Sequence, residues 1–83
     1  MYRLKLTSRA KKDLKNVRNL YRQALLVAFE ELKEDPSIGK PLTRNLMNQY
    51  SLRVSVYRIL YKINNKDKIV TILTAGHRGT VYE

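Results

Sequence analysis

YSLRVSVYRILYKINNKDKIVTILTA, residues 50–75, decides the fold, because its apolar positions recur every second residue and then change phase. In YSLRVS, Leu52 and Val54 alternate with Ser51, Arg53 and Ser55; in YRILYKI, Tyr57, Ile59, Tyr61 and Ile63 alternate with Arg58, Leu60 and Lys62. Read as one strand, 50–63 would place Arg58 on the face of Leu52 and Val54 and bury its charge. A turn or bulge at Ser55–Val56 resets the phase. Arg53 and Arg58 then emerge on one polar face of two neighbouring antiparallel strands. Asn64-Asn65-Lys66-Asp67 supplies the next turn, and KIVTILTA a third strand.

Upstream, the period lengthens. Ala10, Leu14, Val17, Tyr21, Ala24/Leu25, Ala28, Phe29 and Leu32 form a helical stripe, with Thr7 or Ser8 placed to cap its start. Asn16 and Asn19 flank its weak point, so the segment is either one bent helix or two helices with a break. Asp35-Pro36 ends it, since a residue before proline is pushed out of the helical region. YRLKL (2–6) alternates as a half-buried strand, and SIGKPLTRNLMNQ (37–49) reads as an irregular loop with Leu42 and Leu46 or Met47 tucked inward. The order strand, helices, β meander predicts an α+β fold with helices on one face of an antiparallel sheet. The other face is left to carry function.

At 83 residues the elements must share one core, so a single domain over 1–83 is expected. The chain has no cysteine, which removes disulfides and thiolate metal sites and points to a reducing cytosol. Its longest apolar run, Ala24 to Phe29, is too short to span a bilayer, so a cytoplasmic location with no membrane partner is expected. Seventeen Lys+Arg face seven Asp+Glu, a formal charge of +10. Such an excess calls for a polyanion. Residues 40–62 hold Lys40, Arg44, Arg53, Arg58 and Lys62 with no acid at all, while most acids sit in EELKED (30–35).

Residue types narrow the chemistry. Two-metal phosphodiester hydrolysis needs clustered carboxylates, and the basic half of the chain has none. One His cannot assemble a zinc site. No glycine-rich phosphate loop and no serine-hydrolase motif is present. An arginine set remains. Arg53, Arg58 and Arg78, gathered on one face, would grip phosphate oxygens through their guanidinium forks and stabilise charge building on phosphorus without a metal. RNA brings its own nucleophile, the 2′-hydroxyl, so such a site need only orient, stabilise charge and move protons, the last through His77 or Tyr82.

DPSIGKPLTRNLMNQYSLRVSVYRILYKI, followed by ILTAGHRGTVYE, resembles the RelE/ParE toxin superfamily, whose members read helix, DP, GKPL, a short loop, LR with YRIIY, and a final GHR before a terminal Tyr. LTSRAKKDLKNV resembles the family's opening strand and first helix. The resemblance implies a toxin of a bacterial or archaeal toxin–antitoxin module. A RelB-like antitoxin would neutralise it by folding on its surface in a hetero-oligomer. In the RelE-like branch it implies entry into the ribosomal A site and mRNA cleavage by 2′-hydroxyl attack. Arg53 and Arg58 then correspond to phosphate-binding residues, Arg78 to the arginine at the leaving oxygen and Tyr82 to the aromatic that orients substrate. His77 is a candidate acid, and Lys40, Arg44 and Lys62 are expected to bind RNA; no cofactor is implied. Some RelE-like nucleases carry a lysine where Ser51 stands, so the general base is not identified. ParE-like members share the fold, inhibit DNA gyrase and lack the basic set.

Overall fold

The computed structural model describes residues 1–42 and 48–77. Arg44, Arg78 and Tyr82 lie outside the described residues, as do Leu46 and Met47. The chain runs β1 (Arg3–Leu6), α1 (Ser8–Lys15), α2 (Asn19–Glu34), a 3-10 turn (Pro36–Ile38), β2 (Lys40–Pro41), β3 (Gln49–Val54), β4 (Tyr57–Asn64) and β5 (Ile69–His77).

Thr7 caps α1, its hydroxyl accepting from the Ala10 N–H at 3.0 Å. The same hydroxyl donates to the Leu73 carbonyl at 2.9 Å, which ties the start of the helix to β5. The helical stripe resolves into two helices. Asn16 closes α1 and Arg18 takes an extended conformation (φ −65°, ψ 142°), so the backbone turns before α2 begins. The Arg18 N–H finds the Tyr57 hydroxyl at 3.4 Å, giving one of the orphan donors at that helix start a partner. Asp35 ends α2 and caps the 3-10 turn through Ser37, as its position before proline predicts.

The strands form one sheet in the order β1-β5-β4-β3-β2. The β3-β4-β5 meander is antiparallel as expected, with a bulge in the β4–β5 pairing between Leu60 and Tyr61. Two features correct the sequence reading. β1 lies parallel to β5 (Leu4 opposite Val70), so the sheet is mixed rather than wholly antiparallel. The expected irregular loop also contains a short edge strand: Lys40 and Pro41 pair with Ser51 and Tyr50.

That edge strand is held by a close approach. The Tyr61 hydroxyl donates to the Pro36 carbonyl at 2.6 Å and accepts the Gly39 N–H at 3.0 Å. A Cβ at residue 39 would meet that hydroxyl and come within 2.8 Å of the Ser51 carbonyl oxygen, so glycine lets the chain pass. Burial pushes the Tyr61 phenol up to about 12.

Leu25, Ala28, Phe29 and Leu32 of α2 and Ala10 of α1 pack on Tyr57, Ile59, Tyr61 and Ile63 of β4 and Val70, Ile72 and Ala75 of β5. All of these strand residues project to the helix side. Tyr50 stacks on Tyr61 at 5.5 Å and Tyr21 meets Tyr57 edge-on at 5.4 Å, so these tyrosines belong to the core side.

Candidate functional site

The phase reset occurs where the sequence requires it. Val54 pairs with Tyr57 across a two-residue turn, and Ser55 adopts φ 56° to reverse the chain. Arg53 therefore stands directly opposite Arg58. Like charges facing each other across two strands cost stability, of order a few tenths of a kcal/mol to one. Nothing about the fold requires that cost, since the same face could carry threonines.

Cross-strand partners project to the same side, so the open face can be read in rows. One row runs Arg53, Arg58, Gly76; the next runs Lys40, Ser51, Leu60, Thr74. Gly76 raises no side chain beside Arg58. Ile38, Gly39, Lys40, Ser51, Leu52, Arg53 and Arg58 line an open depression of about 390 Å³. Towards the other end of the face, Gln49, Lys62, Thr71 and Lys5 form a row, followed by Asn64, Ile69 and Arg3. Arg3, Lys5, Lys40, Arg53, Arg58 and Lys62 thus share one surface, and no described strand contributes an Asp or Glu to it. Six guanidinium and ammonium groups without a strand carboxylate create a field that draws phosphate.

Of the candidates named from sequence, the structure brings together Arg53, Arg58 and Lys40. Lys62 is on the same face but further along β4, beside a separate depression. His77 is not brought to this face. It pairs with Tyr57, and its ring meets the Tyr57 ring edge-on at 6.0 Å on the helix side of β5. A proton-transfer role at the Arg53–Arg58 pair would require it to act from across the sheet edge. Sequence reasoning missed Arg3 and Lys5. Their alternation with Leu4 and Leu6 was legible, but not that β1 would lie beside β5.

A further polar contact fixes the last strand. Asp13 of α1 accepts from the Thr74 hydroxyl at 2.6 Å and from the Ala75 N–H at 3.2 Å, while Arg9 donates to its other oxygen at 3.3 Å. Burial acts to raise this carboxyl, but the three hydrogen bonds and the Arg9 charge outweigh it and hold Asp13 below its ordinary value of 3.8. The contact sits just past the irregular step in the β4–β5 register, two residues before His77. No group of three or more His, Cys, Asp or Glu side chains that could hold a metal occurs among the described residues. Among the described residues no helix is long and apolar enough to cross a membrane.

The family model described as the ParE toxin of the type II toxin–antitoxin system, parDE, matches residues 4–82. The toxin RelG of Mycobacterium tuberculosis is 35% identical over 83 residues, covering 98% of this chain and 95% of RelG. The toxin–antitoxin complex RelBE2 of the same organism contains a chain that superposes with a TM-score of 0.83 at 35% identity, covering 93% of this chain and 98% of that one. The archaeal RelE–RelB complex of Pyrococcus horikoshii gives 0.78 at 26% identity, with 96% and 98% covered. The α+β sheet with its helices on one side is the fold of those RelE toxins, and the chain belongs to the RelE/ParE superfamily as a toxin of the type II toxin–antitoxin class.

Proposed function

We propose that this toxin is a ribosome-dependent endoribonuclease that cleaves mRNA in the A site. The observation carrying this reading is the Arg53–Arg58 pair, set face to face on a surface to which no described strand adds a carboxylate, with Lys40 beside it. Held between the guanidiniums, the scissile phosphate would be attacked by the neighbouring 2′-oxygen. The 2′-hydroxyl gives up its proton as the new O–P bond closes a 2′,3′-cyclic phosphate, the bond to the 5′-oxygen breaks, and that oxygen takes up a proton as it leaves, so the proton count is unchanged. The arginines bear the negative charge that grows on the non-bridging oxygens. Arg78 and Tyr82 complete the proposed set at the leaving oxygen and the base, and Arg44 adds a contact to the RNA. With one His and no Cys in the chain, and no acid between residues 40 and 62, the residue types fit chemistry that takes its charge stabilisation from arginine. The ribosome would supply the orientation of the message.

The partner under this reading is a RelB-like antitoxin, supported by the relatives' own structures, which are toxin–antitoxin complexes. A second reading, inhibition of DNA gyrase, is favoured by the description of the matched family model as a ParE toxin. Purified toxin added to programmed ribosomes separates the two. Cleavage within the A-site codon that is abolished by Arg53→Ala is the expected result. An intact message together with a loss of gyrase supercoiling would replace the first reading with the second.

A further inference from the structure

At the end of the open face away from the arginine pair, Lys5 and Lys62 flank Thr71 in one row across β1, β5 and β4. With Asn48, Asn64 and Lys66 they line a depression of about 640 Å³, larger than the one beside the arginines. We infer that this depression is a second phosphodiester-binding subsite, which holds an RNA backbone at a phosphate other than the one gripped by Arg53 and Arg58. The inference rests on the RNA-directed reading above for the identity of the polyanion.

The spacing separates the two subsites. Lys62 is four residue steps along β4 from Arg58, which at about 3.3 Å each is roughly 13 Å. One phosphate cannot span that distance, so the two clusters take different phosphates of one chain. Leu60 lies between them and adds no charge, so ribose and base can rest on it, while the Thr74 hydroxyl beside it is taken up by Asp13. The lateral geometry suits a single anion. Lys5 and Lys62 stand two strands apart, about 10 Å at the backbone, and their flexible stems can close on a phosphate seated above the Thr71 hydroxyl.

The acid in this region is held in the turn. The Asp67 carboxylate accepts from the Asn64 side-chain amide at 3.1 Å, and its N–H donates to the Asn64 side-chain oxygen at 3.0 Å. Asn64 and Asp67 thus brace each other as a rim, and three lysines against one aspartate leave the depression positive. Lysines, as point charges, fix no orientation. The subsite therefore anchors the strand, while the arginine pair sets its geometry.

The phosphodiester could belong to the message or to ribosomal RNA, and the test has an arm for each. Binding is measured against salt for a short single-stranded RNA blocked by 2′-O-methylation, and separately for ribosomes carrying no message. Wild type, Lys5→Ala/Lys62→Ala, Lys5→Arg/Lys62→Arg and the charge-matched control Lys11→Ala/Lys12→Ala on exposed positions of α1 are compared. One lost phosphate contact should lower the slope of log K against log salt by about 0.7 on single-stranded RNA, making the loss of affinity from about 50 to about 200 mM salt roughly 2.6-fold smaller than for wild type. The arginine variant should keep the wild-type slope. A fall confined to the short RNA assigns the subsite to the message; a fall confined to message-free ribosomes assigns it to ribosomal RNA. An unchanged slope in both arms, or an equal fall in the α1 control, overturns the subsite. Because the RNA is uncleavable, a wild-type protein that cuts nothing would sink the nuclease reading and leave this measurement standing.

Discussion

The two sides of β4 are made by one run of residues and obey opposite rules. Tyr57, Ile59, Tyr61 and Ile63 are buried against the helices, and their two hydroxyls have backbone partners, Arg18 for Tyr57 and both Pro36 and Gly39 for Tyr61. Arg58, Leu60, Lys62 and Asn64 look outward, and there Arg58 faces Arg53 across the hairpin. The helix side follows what stability asks of a small domain, apolar contact with every polar group satisfied. The open side departs from it by placing cations opposite one another. A face that gives up stability in this way is one on which a bound anion would be stabilising, because it would offset the repulsion between the two guanidiniums.

Neighbouring residues of β4 provide the sharpest way to break this contrast. Arg58→Ala should lower the rate of A-site cleavage by about 10²- to 10³-fold, the loss typical for one charge-stabilising donor. Chemical denaturation should move by less than about 1 kcal/mol. Ile59→Ala, one residue further on and fully buried, should do the reverse, costing about 2–5 kcal/mol of stability with little effect on cleavage by the fraction that remains folded. Equal stability losses in the two variants would mean that the open face is structural after all.

A smaller effect is expected at the junction of the two sides. Tyr61→Phe leaves the Pro36 carbonyl and the Gly39 N–H without their partner and should cost about 1–3 kcal/mol. Gly39→Ala should cost a similar amount, because the added methyl group meets the Tyr61 hydroxyl and the Ser51 carbonyl. Lys40 follows Gly39 directly, so both changes should also weaken RNA binding, with Tyr61→Phe acting from a residue that never reaches the open face. Binding unchanged in destabilised but folded protein would separate the edge strand from the site.

How much of this was legible depended on whether the information was local. The parity of 50–63 forced a turn at Ser55–Val56, and with it the Arg53–Arg58 pairing, because burying Arg58 was the alternative. The stop at Asp35-Pro36 and the Thr7 cap were equally local. β2 was not legible, as two residues carry no period and this pair is held by Gly39 passing under Tyr61. Nor was the parallel seat of β1, which depends on how the helices return the chain to the sheet, and so Lys5 could not be joined to Lys62 in advance. His77, named as a possible acid, pairs with Tyr57 and so falls by strand alternation on the helix side of β5.

Asp13 carries the smallest prediction and joins the two sides. Its carboxylate, in the helix layer, holds Thr74 and Ala75 of the strand that runs on through Gly76 and His77 towards Arg78. Its folded value lies below 3.8, so the unfolded chain takes up the proton first as the solution is acidified. The stabilisation is therefore complete above the unfolded value and is lost as pH falls through the folded one. Asp13→Asn removes the charge while keeping one oxygen that can accept both strand hydrogen bonds, sets an amide group against Arg9 in place of the second oxygen, and should cost about 1 kcal/mol at neutral pH. Denaturation of both proteins between about pH 7 and about pH 3 should show that gap closing on the acid side. A gap that stays constant across the range would mean that Asp13 holds β5 by shape alone, and that its charge has no part in setting the end of the strand.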